Sequence, residues 1–387
     1  MEICVINPFF HPYSGGTEKV LLQVYSRLAK RHNITVVSAV LEQGDRPHSD
    51  KVNGITVMRL PTRYISLPVL PLPFMMIDGM REALERVDAD IYHINNRFLY
   101  YSTTLSTIKR MRRKLALTIH NALPMNIDLL TNSGGLVYDT TWGRKIMQQA
   151  DVITGISKNT IETTVPKRFR HKTHLVYNGV DFNLFKRRPK SNREVSKVLD
   201  SLGAHGENIF TNGRMVAQKG QSFLLKAYAK LIREKVLSNR SSLIMVGRGP
   251  LRNKLAAEAQ RLGIAKNLKM ASGINEEQLP FYYNSGDIFV LPSLYEPASL
   301  AILEALASEL PSVASNVGGI PEMMDGCGLY AKPRDPDGLA RCIKELHDDP
   351  KTASALAHEG RRLMTKEHDW DKIAKQYENI FLNTMRK

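Results

Sequence analysis

Two carboxylates interrupt an otherwise apolar stretch, SLYEPASLAILEALA, at residues 293–307. Glu296 directly precedes Pro297, and Glu304 stands among leucine, isoleucine and alanine. Because proline is favoured at the first helical position, we predict a helix that begins at Pro297 with Glu296 at its entrance. Apolar residues on every side of this helix indicate that it is buried all round. A buried charge without a partner is costly, so each carboxylate needs a partner that this stretch does not contain.

Two cations occupy a glycine-flanked loop in FTNGRMVAQKGQSFLL, residues 210–225. We predict that Arg214 and Lys219 lie between a strand and a helix, where the positive end of the helix dipole adds to their charge. This arrangement suits a phosphate group, and a solvated loop is the alternative. The strand–glycine–helix pattern recurs in LIMVGRGPLRNKL, where Gly247 and Gly249 either approach a ligand or merely turn the chain.

A glycine pair follows the first predicted strand in NPFFHPYSGGTEK, residues 7–19. Gly15 and Gly16 would let the backbone approach a ligand closely, and we expect Thr17 to cap the helix that follows. The N-terminus of that helix favours a negative group. The spacing is not the G-x-G-x-x-G dinucleotide fingerprint, and a simple turn is the alternative.

His120 ends a predicted strand in LTIHNALP, and His93 occupies a similar place in DIYHINN. A single histidine at a strand end is more often structural than catalytic. In sheets of parallel strands, however, ligands bind beyond the carboxyl ends of the strands, which favours a functional role for His120.

The pair Asp88 and Asp90 has the D-x-D spacing of some metal sites. Both residues precede a predicted strand and so lie at its amino end, away from the edge where ligands bind. We interpret them as charges in a helix–strand connection. Other Asp, His and Cys residues do not have ligand spacing, so we predict no metal site.

Strand-like and helix-like segments alternate along all 387 residues, which predicts parallel sheets covered by helices. This length favours two domains, and 43% apolar residues suffice for two cores. We predict two Rossmann-like α/β domains at residues 1–180 and 190–368, joined by a linker at 178–194. We expect the C-terminal helix, about 369–387, to reach back to the first domain. Strand-like runs occur at 2–7, 34–40, 55–60, 90–94, 115–119, 151–156, 173–177, 208–213, 242–246, 268–271, 287–291 and 311–315.

The net charge is +16, and residues 1–190 hold 27 basic against 15 acidic residues. The densest basic cluster is IKRMRRKL, which contains Lys109, Arg110, Arg112, Arg113 and Lys114. It would attract anionic lipid headgroups or nucleic acid, or be a solvated helix face. We favour lipid because the cluster has no interleaved aromatic residues.

Residues 64–77 form an apolar stretch that is broken by prolines and too short to span a bilayer. It could rest on a membrane surface. Three scattered cysteines and the absence of a secretory signal at the N-terminus predict a cytoplasmic protein.

The order of several motifs resembles retaining glycosyltransferases of the GT-B fold, in particular family 4 (group 1), which includes phosphatidylinositol mannosyltransferase-type enzymes. The resemblance covers essentially the whole chain. Its motifs are GGTEK, DVITGISKNT, VYNGVDFNLF, NGRMVAQKG, VGRGPL, PSLYEPASLAILEALA with SVASNVGGIPEMM, and the terminal helix that begins at Trp370.

The resemblance implies a role for each candidate residue. Arg214 and Lys219 would neutralise the leaving diphosphate, and Glu304 would hold the ribose hydroxyls. Glu296 would bind the sugar hydroxyls near the reacting carbon, and His120 would contact the transferred sugar. The two carboxylates would then find their partners in the substrate. The remaining donor-binding residues would be Gly15, Gly16, Gly247, Arg248, Ile274 beside Gly273, Ser299 and Leu300.

Such enzymes pass a sugar from a nucleoside-diphosphate donor to an acceptor and keep the anomeric configuration. The resemblance implies a UDP- or GDP-linked hexose donor, no cofactor, no metal, and a lipid-linked or other envelope acceptor met at the cytoplasmic membrane face. Ala298-Ser299 departs from the Phe-Gly found in many relatives, which leaves the sugar open. The alternatives are a nucleotide-sugar 2-epimerase of the same fold and a basic nucleic-acid-binding protein.

Overall fold

The computed structural model describes residues 1–13, 15–40, 47–65, 74–96, 101–121 and 139–386. These residues divide into two compact units. The first unit runs to Asn178 and resumes at Trp370, and the second comprises Gly179–Asp369. The predicted class of two parallel-sheet α/β domains is confirmed.

The first unit is built on an eight-stranded sheet in the order β10-β9-β8-β7-β1-β2-β4-β3. All neighbouring strands are parallel except β3, which runs antiparallel to β4 at the edge. The strands β5 and β6 form a separate antiparallel pair. The strands are β1 (Glu2–Ile6), β2 (Asn33–Ala39), β3 (His48–Val52), β4 (Ile55–Leu60), β5 (Thr62–Ile65), β6 (Phe74–Ile77), β7 (Ile91–Asn95), β8 (Lys114–Ile119), β9 (Val152–Gly155) and β10 (Thr173–Leu175).

Helices connect these strands, and the C-terminal helix (Trp370–Met385) packs against the first one. Arg27 donates to Asp371 over 2.7 Å, and Glu378 of the C-terminal helix pairs with both Arg31 and His32. The prediction that the last helix returns to the first domain is therefore confirmed. The helices are α1 (Gly16–Leu28), α2 (Met80–Val87), α3 (Tyr101–Arg110), a π-helical turn (Asp139–Gly143), α4 (Arg144–Gln149), α5 (Lys158–Thr164) and a 3-10 helix (Lys167–Lys172).

The second unit has a six-stranded parallel sheet in the order β13-β12-β11-β14-β15-β16. Its strands are β11 (Asn208–Asn212), β12 (Ser242–Val246), β13 (Leu268–Ala271), β14 (Ile288–Leu291), β15 (Ser312–Ser315) and β16 (Leu329–Ala331). Its helices are α6 (Arg193–Leu202), a 3-10 turn (Ala217–Lys219), α7 (Gln221–Arg233), α8 (Arg252–Arg261), α9 (Leu279–Ser285), α10 (Leu300–Ala307), α11 (Ile320–Met324), α12 (Pro336–Asp348) and α13 (Pro350–Glu367).

Alternate residues of the central strands in this unit enter two different hydrophobic clusters. Phe210 and Phe289 belong to one cluster, whereas their neighbours Ile209 and Ile288 belong to the other. Successive side chains of a strand point to opposite faces, so this sheet is buried on both sides, as parallel sheets require. The segment predicted as a linker contributes to the same core, because Val180 and Phe185 are buried in it.

Some predicted boundaries were wrong, and four strands were missed. The helix expected to begin at Pro297 begins at Leu300, because the Ser299 hydroxyl caps it by accepting from the Ile302 amide. The first helix is preceded by Gly15 and has no side-chain cap, so Thr17 lies inside it instead of capping it. The missed strands lack an apolar pattern or are short, and they are β3, β5, β6 and β16.

Each sheet has one point at which the chain reverses the direction of strand addition. In the first unit this point lies between β1 and β7, and in the second it lies between β11 and β14. Ligands of doubly wound sheets bind beyond the carboxyl ends of the strands at such switch points. The carboxyl ends of the strands beside these two points are therefore the expected ligand-binding edges.

Candidate functional site

The switch point of the second unit brings two candidate segments into direct contact. The loop after β11 carries Lys219, and the loop after β14 carries Glu296. The Lys219 ammonium lies 2.5 Å from Glu296 Oε2, and Ser293 Oγ donates to the same oxygen over 3.1 Å. The amide of Leu294 also donates to the Gln218 carbonyl over 2.7 Å. Two segments far apart in the chain thus form one polar cluster at the predicted edge.

The ion pair between Lys219 and Glu296 is largely shielded from water. Their side chains are 16% and 7% exposed, respectively. The expectation that only a substrate would provide a partner for Glu296 is therefore wrong, because the fold provides Lys219 and Ser293. A bound ligand would meet a carboxylate whose Oε2 is already held in place.

Glu304 also has a partner within the protein. Tyr283 on α9 donates its hydroxyl to Glu304 Oε2 over 2.8 Å, and Glu304 is 5% exposed. The expectation that only the substrate would provide a partner for Glu304 is therefore also wrong, because the fold provides Tyr283. Burial, followed by the negative charge of Glu304, raises the pKa of Tyr283 well above its ordinary value. The phenol consequently stays protonated and remains a donor.

Arg214 differs from Lys219 in its surroundings. Its side chain is exposed, and within the described part of the chain it makes no ion pair with a carboxylate. Its carbonyl accepts from Gln221 Nε2 over 3.0 Å, which ties the loop to the first turn of α7. The loop therefore presents one cation held by a carboxylate and one available to an anion.

Three glycines around this edge are required by the packing of the loops. A β-carbon at Gly247 would lie 1.9 Å from the Gly213 carbonyl oxygen, and one at Gly220 would lie 2.0 Å from that of Pro292. At Gly318, where φ is +55°, it would lie 2.2 Å from the Glu296 carbonyl oxygen. Since any larger residue would push these loops apart, these contacts alone account for the three glycines.

The loops after β12 and β13 bring together the residues expected to frame a base. The Arg248 guanidinium lies against Gly273. A β-carbon at position 273 would lie only 2.8 Å from Arg248 Nη2. Ile274 follows directly and packs half-buried against the core. These residues lie at the same sheet edge as the ion pair.

The start of α10 offers fewer free amides than predicted. The Ser299 amide donates to the Met323 thioether sulfur over 3.3 Å, and its hydroxyl caps the helix. Leu300 and Ala301 occupy the first turn, where helical amides have no intrahelical partner. A phosphate at this helix would be met by these two amides instead of that of Ser299.

In the first unit, the loop after β1 carries the glycine pair. A β-carbon at Gly15 would lie 2.1 Å from Glu18 Oε2, so this glycine is needed for internal packing. One at Gly16 would meet nothing within 4 Å, so the fold itself does not require glycine there. Gly16 therefore remains the better candidate for close approach by a ligand.

His120 is held by two asparagines at the carboxyl end of β7. Its Nε2 lies 3.0 Å from Asn95 Oδ1, and its backbone amide donates to Asn96 Oδ1 over 3.0 Å. Burial lowers the pKa of His120 to about 3, so the ring is neutral. With Nε2–H donating to Asn95, Nδ1 is left as an acceptor.

His93 is a buried structural residue in the same unit. Its Nε2 lies 2.6 Å from Thr118 Oγ1, and its Nδ1 contacts the Tyr25 hydroxyl. Burial, together with the nearby His120, lowers its pKa to about 3. Both ring nitrogens of His93 thus have partners inside the unit, which agrees with the prediction that His93 is a weaker candidate for a functional role than His120.

The candidate residues are distributed between the two units. Those of the first unit are Gly15, Gly16 and His120, and those of the second are Arg214, Lys219, Gly247, Arg248, Ile274, Glu296, Ser299, Leu300 and Glu304. Sequence reasoning missed Tyr283, Ser293, Asn95 and Asn96. Ser293 stood within SLYEPASLAILEALA, and Asn95 and Asn96 stood within DIYHINN, but nothing in their residue types indicated the contacts that they make.

The basic cluster, which runs from the end of α3 to the start of β8, is partly neutralised within the unit. Arg110 pairs with Glu85, Arg113 with Asp88 over 2.7 Å, and Lys114 with Asp151 over 3.8 Å. Lys109 and Arg112 are exposed and form no ion pair with any residue that the structure describes. Two of the five charges thus remain available at this surface.

The interpretation of Asp88 and Asp90 as connection charges agrees with the structure. Asp88 pairs with Arg113, and Asp90 accepts from the Glu2 amide over 2.9 Å. Across the described ranges, His, Cys, Asp and Glu side chains form no cluster of three that could hold a metal ion. The three cysteines are all free.

Among the helices that the structure describes, none combines the length and hydropathy of a membrane span. Of the apolar stretch 64–77, residues 66–73 lie outside the described residues.

Two family models match successive parts of the chain. The model for "Glycosyltransferase Family 4" matches residues 14–184, and that for "Glycosyl transferases group 1" matches residues 203–363. Together they span most of the chain and correspond to its two units. This protein belongs to the family 4, group 1 glycosyltransferases, and it is an enzyme of that class.

The chain is also similar over nearly its full length to individual proteins. An uncharacterized glycosyltransferase of Methanocaldococcus jannaschii is 25% identical over 358 residues, which are 87% of each chain. A GDP-mannose-dependent alpha-(1-6)-phosphatidylinositol monomannoside mannosyltransferase of Mycolicibacterium smegmatis is 27% identical over 375 residues, 93% of each chain. The crystal structure of Anabaena HepE in complex with UDP and glucose has a TM-score of 0.78 at 20% identity and covers 98% of each chain. This likeness confirms the predicted GT-B fold.

Proposed function

We propose that this enzyme transfers a hexosyl unit from a nucleoside-diphosphate sugar to a lipid-linked or other envelope glycan acceptor, with retention of configuration and without a metal ion. The observation that carries the proposal is the polar cluster at the carboxyl edge of the second unit, where Lys219 pairs with Glu296 and the exposed Arg214 lies in the same loop as Lys219. Cations, first-turn helix amides and two oriented carboxylates are the groups that a diphosphate linked to two sugars requires.

The proposed division of labour follows from where charge develops. The bond between the anomeric carbon and the diphosphate oxygen breaks, so the leaving group gains negative charge in the transition state. Arg214, Lys219 and the amides at the start of α10 would stabilise that charge without reorganisation. The acceptor oxygen would form its bond to the anomeric carbon on the same face, and the departing phosphate oxygen would take its proton.

Glu296 would hold the sugar while Glu304 holds the ribose. Because Lys219 and Ser293 hold Glu296 Oε2, its other oxygen would accept from the hydroxyls of the transferred sugar. In the first unit, the neutral His120 would accept a sugar hydroxyl through Nδ1. Gly16 would admit the diphosphate close to the backbone.

We propose GDP-mannose as the first donor to test, with UDP-glucose second. The support is the relative of Mycolicibacterium smegmatis, whose name states a GDP-mannose-dependent mannosyltransferase, and the UDP and glucose named for the Anabaena structure. A ligand that binds only the folded state raises the unfolding temperature. We therefore expect GDP- or UDP-sugars to stabilise the enzyme in a thermal-shift screen that also includes ADP-sugars.

Assays of product, metal dependence and oligonucleotide binding distinguish the proposed function from the alternatives. Product NMR should show the donor's anomeric configuration, and activity should persist in excess EDTA. An epimer formed without an acceptor would favour a nucleotide-sugar 2-epimerase. Salt-sensitive oligonucleotide binding that nucleotide sugars do not displace would favour a nucleic-acid-binding role. If none of the sugars shifts the unfolding temperature, the proposed donor class is wrong.

The proposed lipid-linked acceptor has a separate test at the membrane surface. The relative of Mycolicibacterium smegmatis is named for a phosphatidylinositol monomannoside, and Lys109 and Arg112 are the available charges of the basic cluster. Each basic residue near an anionic surface contributes about 1 kcal/mol, so removing both should weaken vesicle binding by roughly 10- to 30-fold at low salt. The variant Lys109→Gln with Arg112→Asn suits this test, because Arg112 has φ +54° and asparagine tolerates that conformation.

Co-sedimentation with phosphatidylglycerol vesicles at low and high salt measures the effect. The matched control is Arg261→Gln with Lys266→Gln, which removes two exposed charges from the second unit. Absence of wild-type binding at low salt, or equal loss in the control, would remove the membrane surface from the proposal.

A further inference from the structure

A single buried hydroxyl connects the sheet edge of the second unit to the carboxylate expected to bind the ribose. Tyr283 lies on α9 and is fully buried. Its hydroxyl lies 2.8 Å from Glu304 Oε2 and 3.1 Å from the Ala301 carbonyl, and it accepts from Asn212 Nδ2 over 3.1 Å. Asn212 is the last residue of β11, the strand that leads into the loop of Arg214.

The aromatic ring of Tyr283 is fixed by its neighbours. Phe185 and Phe210 meet it edge-on, with ring centroids 5.6 and 4.9 Å away. Phe289 lies 5.7 Å away on β14. Since aromatic contacts of this geometry favour one ring orientation, the position of the hydroxyl is set by the core of the unit.

The direction of the hydroxyl proton follows from its possible acceptors. A phenol has one proton, and Glu304 Oε2 is both the nearer acceptor and a carboxylate oxygen. Charge-assisted hydrogen bonds are the stronger ones, so the proton points at Glu304. Asn212 Nδ2 in turn donates a hydrogen bond to the phenol oxygen, which holds the hydroxyl in that orientation.

We infer that Tyr283 is the positioning residue that holds Glu304 in the rotamer needed to bind the ribose of the donor. The inference rests on the proposed function, in which Glu304 meets the ribose hydroxyls. Tyr283 itself does not touch the donor, because it is fully buried behind α10. Without its hydroxyl, Glu304 Oε2 would lose this hydrogen bond, and nucleotide binding would lose selectivity for the ribose.

The test compares a nucleotide with its analogue that lacks both ribose hydroxyls. GDP and 2′,3′-dideoxy-GDP, or UDP and 2′,3′-dideoxy-UDP if the enzyme prefers UDP, are titrated by calorimetry into wild type, Glu304→Gln and Tyr283→Phe. We expect Tyr283→Phe to bind the natural nucleotide about tenfold more weakly, the effect of losing one hydrogen bond to a charged group. The dideoxy analogue should bind wild type and Tyr283→Phe equally well.

Tyr228→Phe is the matched control. Tyr228 is also fully buried in the second unit, and its hydroxyl bonds Ser241 Oγ over 2.6 Å, remote from Glu304 in the hydrogen-bond network. A loss of stability alone would affect both tyrosine variants, whereas loss of ribose selectivity should be confined to Tyr283→Phe. In turnover, the Tyr283→Phe variant should raise KM for the donor about tenfold and leave kcat within about twofold of wild type.

The two hypotheses fail in different ways. If wild type binds the dideoxy analogue as tightly as the natural nucleotide, the ribose role of Glu304 in the proposed function is wrong, and the inference with it. If wild type discriminates and Glu304→Gln does not, but Tyr283→Phe discriminates like wild type, only the inference is overturned. Asn212→Ala gives a second route, because it should reduce the discrimination about threefold through loss of one neutral hydrogen bond to the phenol.

Discussion

Replacing Arg214 and Lys219 together by alanine is expected to lower kcat by about 10³-fold, because each removed donor to a developing negative charge typically costs about 10²- to 10³-fold and the two act on one leaving group. Donor KM should change far less, since the charge being stabilised is largest in the transition state. Steady-state rates and single-turnover rates with the donor identified by thermal shift measure the effect.

The two cations are not equivalent in the structure, which refines this prediction. Arg214 is exposed, so Arg214→Ala reports on catalysis with little effect on folding. Lys219 is paired with Glu296, so its removal also disturbs the ion pair. The control Arg261→Ala with Lys266→Ala removes two exposed charges from the same unit and should keep wild-type kcat. A double variant at Arg214 and Lys219 that retains kcat would contradict the leaving-group role.

The second large effect is expected on stability at the Lys219–Glu296 pair. Removing one member of a buried ion pair leaves the other charge without compensation, which typically costs about 3 kcal/mol or more. For a unit of this size, such a loss lowers Tm by roughly 6–12 °C. Both Glu296→Gln and Lys219→Met should therefore melt well below wild type in calorimetry or circular dichroism.

The double variant Lys219→Met with Glu296→Gln separates stability from function. It carries no charge at the pair, and the glutamine can still accept from Ser293. Replacing both partners of a buried pair is often nearly neutral, so the double variant should regain most of the lost Tm. It should nevertheless remain inactive, because the cation and the carboxylate are both gone. Additive losses of Tm in the double variant would contradict the coupling.

Several features of the fold could be predicted because they depend on local pattern. The alternation of apolar strands with periodic helices predicted two parallel-sheet domains. Strand ends followed by glycines and cations located Arg214 and Lys219 at a ligand edge. Errors arose where tertiary contacts overrode a local preference. Pro297 can begin a helix, but the Ser299 cap and the bond from the Gly319 amide to the Glu296 carbonyl keep the preceding residues in a loop.

The sequence by itself determined the class of fold and the residue types at the candidate site, because period, turn residues and motif order are local properties of the chain. Only the tertiary structure decided which charges meet. Lys219 and Glu296 are 77 residues apart, and Tyr283 and Glu304 are 21 apart, so their contacts depend on the order of strands in the sheet. A charge in an apolar stretch signals that a partner exists, whereas the identity of that partner follows from which strand ends the fold places side by side.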